Sequence, residues 1–312
     1  MSEISRSARI GVLMGGLSAE RQVSLKSGKA VLAALQERGW DAVAIDVQRD
    51  LPQQLLAEGV EVAWIALHGQ FGEDGCVQGL LELMGIPYTG SGVLGSATAM
   101  DKITTKRLVA DNPHVRLPQD RVWRVGDALP EDLVFPLVAK FPEGGSTLGL
   151  AICEDPAALQ AALLELGELG GQVLLEQFVQ GEEITVAVLD GHPFPPVGIR
   201  PDEGFFDYEA KYTKGKTVYD VPAKVSDATS QAARRSALEV YRTLGLRGVA
   251  RADYIVDADG VPWFLEINTL PGMTATSLSP MAASLEGLSF ADLVEAILLG
   301  ARLEKVPGAG GL

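Results

Sequence analysis

The run Val249-Ala-Arg-Ala-Asp-Tyr-Ile-Val256, the turn Asp257-Ala-Asp-Gly260 and the return Val261-Pro-Trp-Phe-Leu-Glu-Ile-Asn-Thr269 read as a β-hairpin. Two stretches rich in β-branched and aromatic residues flank a turn of Asp and Gly. With Val256 placed opposite Val261, the period-two alternation of strands projects Arg251, Asp253, Glu266 and Asn268 from one face. Two carboxylates, one amide and one guanidinium then converge. Oxygen-only donors of this kind suit Mg²⁺, which combines one or two carboxylates with substrate phosphates. An adjacent arginine stabilises negative charge that develops in group transfer. The same residues also read as a solvated polar face on an edge hairpin, although the apolar residues between them fit a buried opposite face.

Upstream of the hairpin, Val173-Leu-Leu-Glu-Gln-Phe-Val179 reads as a strand, followed by Gln-Gly-Glu-Glu183. An acid, an aromatic ring and a backbone edge suit a nucleoside, and they equally suit an ordinary buried strand with a charged end; Lys102 is open to the same two readings. Farther back, Lys140-Phe-Pro-Glu-Gly-Gly-Ser-Thr-Leu-Gly149 is a strand end entering a glycine-rich loop behind a lysine. Glycines let backbone N–H groups approach phosphates, and the lysine adds charge. The segment lacks the GxxxxGK[ST] spacing of a Walker loop, so a plain turn stands beside the phosphate-lid reading.

The first hundred residues alternate strand-like runs (Ile10–Met14, Val43–Val47, Val62–Leu67) with amphipathic stretches (Ser24–Arg38, Gly75–Met84), the pattern of a parallel βαβ sheet. Gly15-Gly16-Leu-Ser18-Ala-Glu20-Arg21 follows the first strand and opens a helix, where small residues and the helix dipole meet. It is not GxGxxG, and Ser18 also reads as an N-cap. Leu67-His68-Gly-Gln-Phe-Gly-Glu73-Asp74-Gly75 is a glycine-rich loop whose lone histidine reads as structural or functional. From about Thr98 come a helix, strands at Arg121–Val125 and Pro136–Phe141, a helix at Pro156–Gly167 and strand Val173–Phe178. Beyond Val179 lie further strands, a polar and aromatic stretch at Gly204–Tyr219, helix Ser226–Leu244, the hairpin, and a closing helix at Phe290–Leu299.

The chain has 312 residues, 47% hydrophobic and 21% charged, too long for one core, so two or three domains sharing a cleft are expected. No apolar run approaches the roughly 20 residues needed to span a bilayer, and the N-terminus lacks a signal-peptide pattern. The expectation is a cytoplasmic protein with no membrane partner. A net charge of −15 argues against nucleic-acid affinity while permitting a local positive pocket. Cys76 and Cys153 form no CxxC pair and have no His cluster nearby, so both are expected to be buried and inert.

Together the segments GGLSAERQVSLKSG (15–28), HGQFGEDG (68–75), MDK (100–102), FDYEAKY (206–212), RADYIV (251–256) and LEINTLPGMTATSLSP (265–280) resemble the D-alanine–D-alanine ligase family of the ATP-grasp superfamily, in the family's order along nearly the whole chain. The resemblance implies an ATP-grasp fold, mixed α/β and α+β, preceded by a parallel-sheet N-terminal domain. It implies an N-terminal substrate domain over residues 1–98, a central ATP-grasp lid over 99–179, and a C-terminal ATP-grasp domain over 180–312 carrying metal and substrate sites.

It further implies ATP-dependent joining of two D-alanine molecules through an acyl phosphate, for peptidoglycan precursors, with two Mg²⁺ ions (Mn²⁺ as a substitute), in a homodimer. By resemblance, Lys102, Lys140, Ser146, Glu176, Phe178, Val179, Glu183 and Lys211 fall where the family contacts ATP, and Asp253, Glu266 and Asn268 where it binds metal. Glu20 and His68 match the first D-alanine site. Arg251 and Gly272 match the groups around the tetrahedral intermediate, and Ser277 and Leu278 the site of the second D-alanine's carboxylate. Tyr212, with Glu183 and Ser146, matches the group that latches the lid.

This sequence departs from the family's usual pattern at Lys140-Phe141 and at Gly144-Gly145-Ser146-Thr147, with the acid moved forward to Glu143. Phe206 stands where tyrosine is common. Two rival readings remain: a D-alanine–D-lactate ligase, against which Glu209-Ala-Lys-Tyr212 resembles the dipeptide-forming branch, and a nucleotide-binding sensor without catalysis, which would not need Arg251, Asp253, Glu266 and Asn268 together.

Overall fold

A computed structural model describes residues 4–144, 149–201 and 217–304. Ser146, Lys211, Tyr212, Phe206 and the C-terminal tail at 308–312 lie outside the described residues.

The N-terminal third is a parallel sheet in the order β2-β1-β3, with β1 (Arg9–Gly15), β2 (Asp41–Val47) and β3 (Val62–Ile65). Strand β1 is central and buried on both sides except at Arg9, which is why it reads as a continuous apolar run rather than an alternating one. Helix α1 (Arg21–Glu37) turns Val31, Ala34 and Leu35 inward. Gly28 lets this helix approach closely: a Cβ there would sit 2.4 Å from Met14 Cβ. Helices α2 (Leu51–Ala57), α3 (Cys76–Met84) and α4 (Val93–Met100) follow, and then α5 (Lys102–Val109). The helix expected from Thr98 is thus two helices, broken at Asp101. That residue is extended, and its side chain accepts from Thr104 N–H to cap α5.

A four-stranded antiparallel sheet, order β4-β7-β5-β6, comes next, built from β4 (Asp120–Arg124), β5 (Leu137–Lys140), β6 (Leu150–Cys153) and β7 (Gln172–Gln177). Helix α6 (Pro156–Gly170), capped by Asp155 with Pro156 at its first position, buries Leu159, Ala162, Leu163 and Leu166 against that sheet.

The third sheet runs β11-β10-β8-β12-β13, with β9 on β8: β8 (Glu182–Leu189), β9 (His192–Pro193), β10 (Val197–Pro201), β11 (Thr217–Asp220), β12 (Val249–Val256) and β13 (Pro262–Asn268). Helix α7 (Asp227–Thr243) presents Ala233, Ala237, Val240 and Tyr241 to the core face formed by Ala250, Ala252, Tyr254, Phe264 and Ile267. The chain closes with α8 (Leu278–Ser284) and α9 (Phe290–Leu299). These two pack Ala282, Ala283, Leu293 and Ile297 into the same apolar cluster as Val12, Met14 and Trp64 of the first sheet. Arg38, Trp40 and Arg6 tie that junction by pairing with Glu295, and Arg38 also pairs with Asp292.

The hairpin is present, but its register differs from the expected one. Val256 pairs with Pro262 and Tyr254 with Phe264, and a β-bulge then shifts the ladder so that Asp253 faces Glu266 and Arg251 faces Asn268. The bulge leaves Leu265 as the extra residue, and β13 accordingly breaks its alternation: Phe264 and Ile267 are buried while Leu265 and Glu266 in succession are half-buried. Without that extra residue, Glu266 would point with Phe264 into the core. A second correction concerns Cys76. It is exposed at the start of α3, and Cys153 is buried. Among the described residues no helix is long and apolar enough to cross a membrane.

Candidate active site

Strand β12 carries Arg251 and Asp253 outward from the α7 core. The guanidinium grips the carboxylate through two bonds, Nε to Oδ1 at 2.9 Å and Nη2 to Oδ2 at 2.8 Å. Asp253 is 5% exposed, and Thr185 on β8 adds a third bond, Oγ1 to Oδ1 at 2.6 Å. Across the ladder, Glu266 receives the ammonium of Lys102 at 2.9 Å. Each carboxylate of the pair therefore already has a cation beside it. This is what two acids facing one another at a half-buried sheet surface require. Asn268 completes the row, its Oδ1 accepting the Leu270 N–H at 2.9 Å.

Among the described residues no three His, Cys, Asp or Glu side chains cluster as a metal cage. The donor set in question has only two carboxylates and an amide. Its chemistry fits Mg²⁺, which takes few protein ligands and completes its shell from phosphate and water.

Lys102 is the first residue of α5 and links the hairpin to the glycine-rich segment. Its Nζ donates to the Gly144 carbonyl at 2.6 Å and its backbone N–H to the Pro142 carbonyl at 3.2 Å. Lys140, the last residue of β5, reaches Glu176 Oε2 on β7 at 2.7 Å. Lys106, one helical turn beyond Lys102, contacts the other oxygen, Oε1. Glu176 is 3% exposed. Burial alone would raise its pKa, but the two ammonium groups win and hold it below the ordinary carboxylate value. Phe178 and Val179 follow on the loop out of β7, half-buried, and Glu183 is half-buried on β8, paired with Ile255 and Ile199.

On the other side of Arg251 lies an acidic pocket made by the first sheet. Glu20, at the N-cap of α1, is buried, and its N–H donates to Ser18 Oγ, whose hydroxyl donates to the His68 carbonyl at 2.7 Å. The loop folds over Glu20 through Gly69, whose φ of +69° favours glycine, and a Cβ there would also press on Glu20 Oε2 at 2.7 Å. His68 is buried, its Nε2 3.1 Å from Ser27 Oγ. Burial holds the imidazole below its usual pKa, helped by Arg251 and opposed by Glu20 and the Leu270 backbone. Glu73, also buried, accepts the Gly69 N–H at 2.7 Å. Desolvation, and secondarily the charge of Glu20, push its pKa up to about 8, so it stands protonated beside Glu20 at neutral pH.

Past Asn268, the chain turns through Gly272, where a Cβ would stand 3.3 Å from Ser277 Oγ. Ser277, at the N-cap of α8, accepts the Thr274 N–H at 3.0 Å and bonds Thr274 Oγ1 at 2.8 Å. Leu278 begins α8, half-buried against the first apolar cluster. Met273 N–H donates to Ser27 Oγ at 3.2 Å, so this loop and the His68 pocket are joined.

The sequence of a D-ala D-ala ligase C-terminus matches residues 113–299, and that of a D-ala D-ala ligase N-terminus matches residues 51–91. The chain belongs to the D-alanine–D-alanine ligase family. A D-alanine–D-alanine ligase of Syntrophotalea carbinolica is 50% identical over 298 residues, covering 95% of this chain and 97% of that protein. One of Geobacter sulfurreducens is 48% identical over 98% of this chain and 97% of its own length. The crystal structure of a D-alanine–D-alanine ligase from Bacillus anthracis complexed with ATP superposes with a TM-score of 0.83 at 34% identity, covering 94% of this chain and 97% of that one. The family's ATP-grasp architecture is therefore this chain's fold.

Within this family frame, sequence reasoning had passed over four residues. Glu73 lay inside a quoted motif without a role. Lys106 is signalled by its four-residue spacing from Lys102, which puts both on one face of α5. Thr185 and Tyr219 gave no signal; the latter is brought near Arg251 and Glu183 only by sheet pairing, and burial raises its pKa.

Proposed function

We propose that this protein is an ADP-forming ligase that joins two D-alanine molecules into D-alanyl-D-alanine for peptidoglycan precursors. The observation that carries this reading is the Arg251–Asp253 pair facing Glu266 and Lys102 on one side and the Glu20–His68–Glu73 pocket on the other. The Arg251 guanidinium, held by Asp253, thus stands between a phosphate-type site and an ammonium-type site.

A carboxylate is a poor acylating agent. Its oxygen attacks the γ-phosphorus of ATP, ADP leaves, and a D-alanyl phosphate results. Lys102 and Lys140, with Ser146 and Lys211, neutralise the crowded phosphate charge. Glu176, Phe178, Val179 and Glu183 receive the nucleoside. Asp253, Glu266 and Asn268 hold Mg²⁺, which when bound draws phosphate charge away from the reacting centre. Glu20 holds the ammonium of the first D-alanine, with His68 kept neutral beside it.

The second D-alanine, its carboxylate at Ser277 and Leu278, attacks the acyl carbon through its amine. The C–N bond forms, a proton is lost, and phosphate leaves. Arg251 and the Gly272 N–H stabilise the oxyanion, and Tyr212 latches the lid against water. The domain division at 98/99 and 179/180, a homodimeric assembly and a cytoplasmic location belong to the same proposal. The three separate sheets support the first.

The experiment is magnesium-dependent phosphate release from ATP with D-alanine alone, with L-alanine alone, and with D-alanine and D-lactate together, with the product identified by mass. D-alanyl-D-alanine and phosphate formed only with D-alanine is the expected result. A D-alanyl-D-lactate product would favour the ester-forming rival, and nucleotide binding without any product would refute the ligase reading.

A further inference from the structure

Helix α5 sends two lysines in one direction. Lys102 and Lys106 are one turn apart, about 6 Å along the axis, and each is at least nine-tenths buried. Lys102 goes to Glu266 and the glycine-rich segment, and Lys106 goes to Glu176. One rigid element thereby reaches both ends of the nucleotide pocket.

The two lysines on Glu176 are not equivalent. Lys106 Nζ contacts Glu176 Oε1, Asp120 Oδ1 at 3.1 Å and the Pro118 carbonyl at 3.2 Å. Three acceptors use all three donors of an ammonium, so Lys106 is fixed. Lys140 takes the other oxygen, Oε2, from the strand end that enters the glycine-rich loop. A polyphosphate competes with Glu176 for Lys140. If Lys140 were its sole partner, that competition would leave a buried carboxylate uncompensated, and the group would take up a proton instead.

We propose that Lys106 is a positioning residue for nucleotide selection: it keeps Glu176 ionised and oriented, so that Oε2, vacated by Lys140, accepts the exocyclic amine of adenine. The proposal rests on the reading of Glu176 as a nucleotide contact. An ionised carboxylate accepts from the 6-amino group of adenine and repels the 6-oxo group of guanine, whereas a neutral carboxylic acid can donate to that oxygen. The charged groups facing Glu176 are Lys106 from α5 and Lys140 from β5, with Asp120 of β4 behind Lys106.

The test uses the full-length protein as Lys106→Met, Lys106→Arg, Glu176→Gln and the double variant Lys106→Met/Glu176→Gln, with kcat and KM measured for ATP and GTP. Lys106→Met is expected to raise KM for ATP by about tenfold or more, change kcat by less than about threefold, and lower the ATP-over-GTP preference by about tenfold. Lys106→Arg, which keeps the charge, retains the preference. Adding Lys106→Met to Glu176→Gln changes nothing beyond about twofold, because the lysine acts through the acid.

Wild-type KM and preference in Lys106→Met, with Glu176→Gln impaired, would overturn the role of Lys106 alone. Wild-type behaviour in Glu176→Gln would overturn the nucleotide-site reading and the proposal with it. If Lys106→Met does not fold, the double variant, which leaves Glu176 without a charge to pair, is compared with Glu176→Gln. A further tenfold loss there, on the scale of independent contacts, also refutes the proposal.

Discussion

Replacing Glu73 by Gln exchanges a buried carboxyl for a neutral group of nearly the same shape, whose carbonyl still accepts the Gly69 N–H. In the folded chain the carboxyl titrates at about 8 against an ordinary 4.5, chiefly from desolvation and then from the charge of Glu20. The folded-state pKa is raised, so between those values the folded protein holds a proton that the unfolded chain has released. Stability contributed by this group falls as pH rises, by about 1.4 kcal/mol per pH unit. His68, whose pKa is lowered by burial, gives an opposite slope below its ordinary value in both proteins, and it cancels in the comparison. The Gln variant is therefore expected to gain on the wild type by about 3 kcal/mol between about pH 5 and pH 7. Urea unfolding at a series of pH values reads this directly. Parallel stability curves for the two proteins would show that Glu73 is ionised in the fold and that the account of this pocket is wrong.

Arg251→Ala or Glu266→Gln is expected to lower kcat by about a hundredfold or more, the scale for losing a preorganised charge at the reacting centre, while the far-ultraviolet circular dichroism stays unchanged; wild-type ADP release would remove that residue from the mechanism. Thr185→Val deletes the 2.6 Å bond to Asp253 Oδ1, and the Mg²⁺ concentration for half-maximal activity is expected to rise several-fold, about 1 kcal/mol; an unchanged magnesium titration would show that Arg251 alone orients the acid. Asp292 is held down to about 2 by Ser289 first and Arg38 second. Its contribution is thus present above its ordinary 3.8 and lost as pH falls through about 2. Asp292→Asn is expected to flatten the acid limb of the Tm-versus-pH curve in that window, and an unaltered limb would contradict the assignment.

The hairpin shows how far the sequence reaches. Its turn residues, its β-branched runs and the parity of Arg251, Asp253, Glu266 and Asn268 are local properties, and they brought the four side chains to one face. The expected pairing of Val256 with Val261 was nevertheless wrong. The side chains share a face because the true register, shifted by one residue, is shifted again by the bulge at Leu265. Each one-residue slip exchanges the faces, and two restore them.

Composition, periodicity and glycine placement along the chain thus determined the first parallel sheet, the hairpin and the long helices, but not α2, β6, α8 or the break at Asp101, and the ordered motifs determined the family. Tertiary structure decided what no local pattern encodes. It gave the exposure of Cys76, the closure of residue 69 over Glu20, the protonated state of Glu73, and the lysine pair on Glu176. The physical reason is that burial and charge pairing are sums over neighbours distant in sequence. Glu73 is acidic or neutral according to what surrounds it, and Lys106 finds its acid 70 residues away only when α5 is laid against β7.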